Sequence, residues 1–205
     1  MFPMILAQWP AQTMFRFEPW RHLYRAQFLQ AWKRRDAAVA AYRDALTSDP
    51  GYARAASQLA HLLYEMGREE ESVAMFERAI ELKPDDGDTV FNLAFVLERR
   101  KEYDRAIAKF RRAIELKPGI DRAWFGLGLA CVATDRHEEA LKAFQKAADL
   151  QPMNPHAWRE LAMTHLKAGN AARVEEIIRT VAEFDPAATR ELIRDTGIRP
   201  PGIHL

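Results

Sequence analysis

Five prolines stand 34 residues apart in this chain, and the hexapeptide AIELKP ends at two of them, Pro84 and Pro118. The five are Pro50, Pro84, Pro118, Pro152 and Pro186. A fixed period of this size is typical of proteins built from repeated supersecondary units. Each unit in such a protein packs only on its neighbours. We therefore expect an elongated domain that has no single central core and that offers a binding surface.

The composition is that of an ordinary folded protein, with 48% hydrophobic and 29% charged residues. A net charge of +1 argues against a surface dedicated to nucleic acid. The single cysteine, Cys131, cannot form an internal disulfide. The sequence has no apolar run of about 20 residues, and residues 1–10 lack the basic start of a secretory signal. We expect a cytoplasmic protein and leave peripheral membrane association open.

Small and apolar residues recur at fixed places when the units are numbered from residue 19. They fall at unit positions 4, 7, 8 and 11 in the first half and at 20, 24 and 27 in the second. This spacing is the stripe of an amphipathic helix, so each unit is predicted to be two helices of roughly 12–14 residues. A short turn near position 14 joins them, and Gly67 and Gly169 mark it in two units.

The period divides the chain into three parts: residues 1–18 are an apolar N-terminal extension, 19–188 are five repeats, and 189–205 are a C-terminal capping segment and tail. The repeats are 19–52, 53–86, 87–120, 121–154 and 155–188. Within the last part, the prolines at 200 and 201 argue against a helix through the tail.

The fourth repeat carries Trp124-x-x-Leu127-Gly128-x-x-Cys131, then Ala140-x-x-x-Phe144, then a proline. These residues resemble the tetratricopeptide repeat (TPR) family, with Cys131 where tyrosine is usual. The resemblance covers 19–188. It implies an all-α, right-handed α-solenoid of helix-turn-helix repeats whose first helices line a concave groove.

In that family, partner contacts usually come from unit positions 2, 5, 6, 9, 12 and 13 of the first helices. Residues 123–133 carry no charge, and a helix that is apolar all round is either buried or binds something. The resemblance and this run together predict an apolar groove over the third to fifth repeats. The alternative is ordinary packing of these side chains on adjacent second helices. The candidate groove residues are Phe91, Asn92, Phe95, Glu98, Arg122, Phe125, Leu129, Val132, Arg159 and Met163.

Signatures of catalysis are missing from the sequence. It has no glycine-rich phosphate loop, no Gly-x-Ser-x-Gly elbow and no His-Glu-x-x-His, and no two histidines stand four apart. We expect a non-enzymatic scaffold or adaptor that binds a peptide or helix of a partner protein and assembles or recruits a larger complex. We expect no cofactor, no metal and no nucleic acid.

Residues 1–18, MFPMILAQWPAQTMFRFE, are apolar for a terminus, and Pro3 and Pro10 argue against one continuous helix. Three interpretations remain open. The segment caps the first repeat, inserts into a groove of its own chain or of a second copy, or contacts a membrane surface or a partner. The last two give the alternative function, a self-assembling or membrane-peripheral structural subunit.

Overall fold

The computed structural model describes residues 18–203, which form eleven α-helices and no strand. The predicted all-α class of fold is confirmed. Residues 1–17, and with them the interpretations of the N-terminal extension, lie outside the described residues. The helices are α1 (Glu18–Ala31), α2 (Arg35–Ser48), α3 (Ala53–Glu65), α4 (Glu69–Leu82), α5 (Gly87–Arg99), α6 (Tyr103–Leu116), α7 (Asp121–Ala133), α8 (His137–Leu150), α9 (Pro155–Lys167), α10 (Ala171–Ala182) and α11 (Pro186–Thr196).

Two compact units divide the chain, an N-terminal unit ending at Val96 and a C-terminal unit beginning at Leu97. In the N-terminal unit α1 packs on α2, α2 on α3 and α3 on α4. In the C-terminal unit each helix from α6 to α11 packs on the next, and α9 also contacts α11. Packing between sequence neighbours is what a repeat architecture requires. Between residues 18 and 203, no helix is long and apolar enough to cross a membrane.

The turn inside each repeat has one geometry, centred on unit position 15. Its residue lies in the left-handed region, with φ between 59° and 76°. The next backbone N–H donates to the carbonyl at position 11, as Glu102 does to Leu97 at 2.9 Å. This is the bond that closes a helix C-terminus in a Schellman motif. The residues at position 15 are Lys33, Gly67, Lys101, Asp135 and Gly169.

The core is built from the positions that recur in the sequence. Side chains at unit positions 20, 24 and 27 are at most 3% exposed in all five repeats. Burying one large apolar side chain contributes about 1.5–3 kcal/mol. The residues at position 24 fill most of that space and are Tyr42, Phe76, Phe110, Phe144 and Ile178.

Tyr42 is the polar member of that set, and its hydroxyl has partners. It lies 3.1 Å from the Oε1 atoms of both Gln30 and Gln58, and its single proton can be donated to either of them. Gln27 Nε2 donates to the same Gln58 oxygen at 2.9 Å. Burial raises the pKa of Tyr42 to about 12. A buried tyrosine needs such a partner, and this network joins α1, α2 and α3.

Two glycines in α7 admit the aromatic rings of the helices on either side. A Cβ atom on Gly126 would lie 2.4 Å from the ring of Phe110 in α6. A Cβ atom on Gly128 would lie 2.4 Å from the ring of Phe144 in α8. Both rings are buried, so neither can move away without opening the core.

Helix α11 ends the C-terminal unit with defined caps. The Asp185 carboxylate accepts hydrogen bonds from the backbone N–H groups of Ala187 and Ala188 at 3.0 and 2.9 Å. Gly197, with φ of 70°, closes the other end. Leu192 is buried. The helix begins just before residues 189–205, which the sequence predicted as a C-terminal capping segment and tail, and ends within them. Its N-cap residue is of the preferred type.

Gly128→Ala is expected to lower the free energy of unfolding by about 1–3 kcal/mol, because the added methyl group overpacks the ring of Phe144. Helix propensity alone predicts that the same substitution raises the free energy of unfolding by about 0.5–1 kcal/mol. Chemical denaturation measures the change. Gly119→Ala is the control, since a Cβ atom there meets nothing within 4 Å. A stabilised Gly128→Ala protein would contradict this packing.

Candidate partner-binding site

Part of the predicted groove is an open cavity in the C-terminal unit. It measures about 140 Å³ and lies at the N-terminal ends of α7 and α9 and the C-terminal end of α8. Its apolar wall is formed by Phe125, Ala147 and Ala157. Polar side chains complete the lining: Asp121, Arg122, Gln151, Asn154 and His156.

Phe125 is partly buried and lines the cavity. The ring lies 5.7 Å from that of Phe144, centroid to centroid. It also packs on the buried cluster of Ala147, Ala148 and Ala157. The two alternatives from the sequence are therefore not exclusive at this residue. Phe125 packs on the adjacent second helix and still lines the cavity.

Two tryptophans fix the chain on either side of the cavity. Trp124 Nε1 donates to the carbonyl of Pro118 at 3.0 Å, and Trp158 Nε1 donates to the carbonyl of Pro152 at 2.9 Å. Both indoles pack on the same alanine cluster as Phe125. Two of the prolines that mark the period, Pro118 and Pro152, thus also anchor the first helix that follows each of them.

The other predicted residues of α7 and α9 lie beyond the cavity. Leu129 and Val132 are partly buried and follow Phe125 at i+4 and i+7, so all three share one face of α7. Met163 is partly buried on α9. Partly covered apolar side chains of this kind pack within the fold and also offer contact area to a partner.

Arg159 is exposed, but its guanidinium is held by two carboxylates. Its Nη2 atom lies 2.9 Å from Asp195 Oδ2, and its Nη1 atom lies 3.2 Å from Glu160 Oε1. The hydrogen bond from Arg159, with a second from Arg194, lowers the pKa of the Asp195 carboxyl. Sequence reasoning missed this contact. Asp195 lies in α11, after the fifth repeat, where the 34-residue pattern gives no information.

The N-terminal unit contains the first three predicted residues. Phe91 is buried, with 8% of its surface exposed, so it offers little area to a partner. Asn92 is partly buried, whereas Phe95 is 41% exposed. The ring of Phe95 meets that of Tyr64 edge-on at 5.7 Å. Glu98, the remaining predicted residue, is partly buried and belongs to the C-terminal unit.

A second cavity, of about 400 Å³, is lined by residues of α2, α3 and α4 in the N-terminal unit. Its floor is apolar and includes Leu46, Leu63 and Met75. The lining residues Arg43 and Glu71 form an ion pair at 2.9 Å. A third charged lining residue, Arg78, donates from its Nη2 atom to the carbonyl of Pro50 at 3.1 Å.

Burial shifts the pKa values of two side chains on α7 and α9, Cys131 and His165. Burial is the main cause that raises the pKa of the Cys131 thiol to about 11, so it is protonated at neutral pH and a poor nucleophile. Burial lowers the pKa of His165. Within residues 18–203, no group of three or more His, Cys, Asp or Glu side chains could hold a metal ion.

The repeat geometry agrees with a known family. Residues 25–180 match the family described as Cilia and flagella-associated protein 70 C-terminal domain, a TPR family. The chain belongs to this family. The resemblance to TPR proteins that the sequence predicted is confirmed. No curated protein has a sequence that matches the chain.

Solved TPR structures share the fold. MamA, residues 41 to the end, from Desulfovibrio magneticus RS-1 has a TM-score of 0.75 at 20% identity, covering 82% of this chain and 95% of that one. YrrB, described as a TPR protein with an unusual peptide-binding site, has a TM-score of 0.73 at 22% identity, covering 84% and 90%. PilF of Pseudomonas aeruginosa has a TM-score of 0.71 at 18% identity, covering 89% and 88%. The predicted α-solenoid class of fold is confirmed.

Arg159→Gln is expected to raise the pKa of Asp195 toward the ordinary aspartate value of about 3.9, because the main donor to its carboxylate is lost. The carboxyl ¹³C shift followed by NMR during an acid titration measures this. The pKa of Asp195 is lower in the folded state than in the unfolded state. The contribution of the pair to stability is therefore present above the unfolded-state pKa and is lost as the pH falls through the folded-state pKa.

Arg190→Gln provides the control for this titration, because Arg190 is exposed on the same helix as Asp195. It is expected to leave the pKa of Asp195 unchanged. An identical Asp195 pKa in the wild-type and Arg159→Gln proteins would show that Arg159 does not hold the TPR array to α11.

Proposed function

We propose that this TPR protein is a non-enzymatic scaffold or adaptor that binds a peptide or helix of a partner protein and thereby assembles or recruits a larger complex. The contact surface is the face of α7 and α9 in the C-terminal unit. Its anchor is the cavity beside Phe125, which is the observation that carries the proposal. TPR-type repeats use such surfaces of their first helices for recognition.

The size of the cavity favours a side chain over a free metabolite. Small-molecule sites usually enclose about 300–1,000 Å³, and this cavity measures about 140 Å³. A single apolar side chain of a partner fits that space. Leu129 and Val132 extend the apolar face along α7, as expected for a peptide or helix that contacts successive turns.

Charged residues at the rim of the cavity favour one orientation of the bound partner. Arg122 and His156 line one cavity with Asp121, so a cation and an anion lie close to the anchor. We expect a partner with an apolar anchor residue and a neighbouring acidic residue that contacts Arg122. The fold similarity to YrrB, whose description names a peptide-binding site, supports a peptide ligand by analogy.

Phe125→Glu is expected to weaken binding of a selected peptide at least about tenfold, because a carboxylate would replace the apolar wall of the anchor cavity. Peptides are selected from a random library on the immobilised full chain. Fluorescence anisotropy then measures the affinity of one labelled peptide for each variant. Arg122→Glu reverses the charge of an exposed rim residue and is expected to reduce affinity for peptides with an acidic residue beside the anchor.

Leu150→Glu is the matched control, since Leu150 is 40% exposed on α8 and does not line the cavity. Its affinity for the peptide is expected to equal that of the wild type. Circular dichroism establishes that each variant is folded. A library that yields no peptide, or a peptide that binds Phe125→Glu and Arg122→Glu as well as the wild type, would contradict the proposal.

A further inference from the structure

Four aromatic side chains form an exposed stripe along α1. Trp20, Tyr24, Phe28 and Trp32 stand four residues apart and are 52%, 50%, 61% and 70% exposed. Trp20 and Tyr24 stack edge-on at 4.3 Å, and the rings of Phe28 and Trp32 lie 5.7 Å apart. So much contiguous exposed aromatic surface usually marks an interaction site. We call these four residues the aromatic stripe.

The repeat shows that part of this surface is normally covered. Phe28 occupies unit position 10, and the residues at that position in the other four repeats are at most 4% exposed. Those residues are Leu62, Val96, Ala130 and Thr164. Residues 1–17 come directly before α1 in the sequence. Phe28 therefore lacks the covering that position 10 receives in every other repeat.

Residues 1–17 have the composition to provide that cover. Eleven of them are Met, Phe, Ile, Leu, Ala or Trp, and Arg16 is the only charged residue. The flank of the aromatic stripe carries the exposed cations Arg21 and Arg25. A segment without acidic groups meets these cations best through its own aromatic rings, since guanidinium groups stack on such faces.

The length of the segment is sufficient. The aromatic stripe spans about 18 Å, at about 1.5 Å per helical residue. Residues 1–17 reach about 56 Å when extended, at about 3.3 Å per residue. The segment can therefore reverse direction before α1 and still follow the whole stripe. Because it is joined directly to α1, its effective concentration at the stripe is on the order of millimolar, which favours it over a separate molecule.

We propose that residues 1–17 fold back on their own chain and bind the aromatic stripe. The apolar side chains of the segment then cover Phe28 and Trp32, and the N-terminal unit gains the missing cover of its first helix. This contact is separate from the partner-binding cavity beside Phe125, which belongs to the C-terminal unit.

Photo-crosslinking in the full chain tests this contact. Phe28 is replaced by p-benzoylphenylalanine, which keeps the exposed aromatic character of the site. Irradiation is expected to link position 28 to peptides from residues 1–17, identified by mass spectrometry. The double variant Ile5→Asp/Leu6→Asp is expected to reduce this product about tenfold, because it puts two charges on the apolar contact. Gln8→Asp/Gln12→Asp adds the same charge at polar positions and is the matched control.

Mixing ¹⁵N-labelled and unlabelled protein separates contacts within one chain from those between chains. Cross-links confined to one isotope support the proposal, and mixed-isotope dimers overturn it in favour of a second copy. A product that forms only with phosphatidylserine vesicles, or links to lipid, overturns it in favour of a membrane surface. Absence of the product at position 28 and at Trp32, replaced in the same way, overturns it as well.

Discussion

The whole structure depends on one buried side chain per repeat, the residue at unit position 24, which shares the core with the buried residues at positions 8, 20 and 27. In the fourth repeat Phe144 inserts against Gly128, whose Cβ position its ring already fills. Dispersion and hydrophobic burial act only over such close approach. Because the second helix can approach the first only where position 8 is small, this contact fixes the spacing of each pair. The sequence places a small residue at position 8 in every 34-residue unit, which meets this requirement in each repeat.

Side chains that the core does not bury remain available for recognition. On α7 the side chains at positions 5, 9 and 12, which are Phe125, Leu129 and Val132, are only partly buried. The ends of the array differ from each other. At the C-terminal end, α11 buries Leu192 and pairs Asp195 with Arg159. At the other end, α1 exposes four aromatic rings. A terminal repeat normally has a polar outer face. We therefore expect the exposed aromatic rings of α1 to be covered by another segment.

The sequence was sufficient to predict the helix pairs, the buried positions and the family, because each of these follows from a residue type that recurs with the period. Exposure does not recur in this way. Phe91 and Phe125 both occupy position 5, yet Phe91 is buried whereas Phe125 is partly buried and lines a cavity. The Arg159–Asp195 pair joins a repeat to a segment outside the pattern. The aromatic stripe has the spacing of a core, and only the structure shows that its side chains are exposed.

Hydrogen–deuterium exchange of the Phe144→Ala protein tests the central contact most directly. Removing the ring is expected to cost about 3–5 kcal/mol. Amides of α7 and α8 should therefore exchange at least about a hundredfold faster than in the wild type. Phe184→Ala, which removes a partly buried ring outside position 24, should leave α7 and α8 protected. Unchanged protection of α7 and α8 in Phe144→Ala would contradict the dependence of each helix pair on its position 24 side chain.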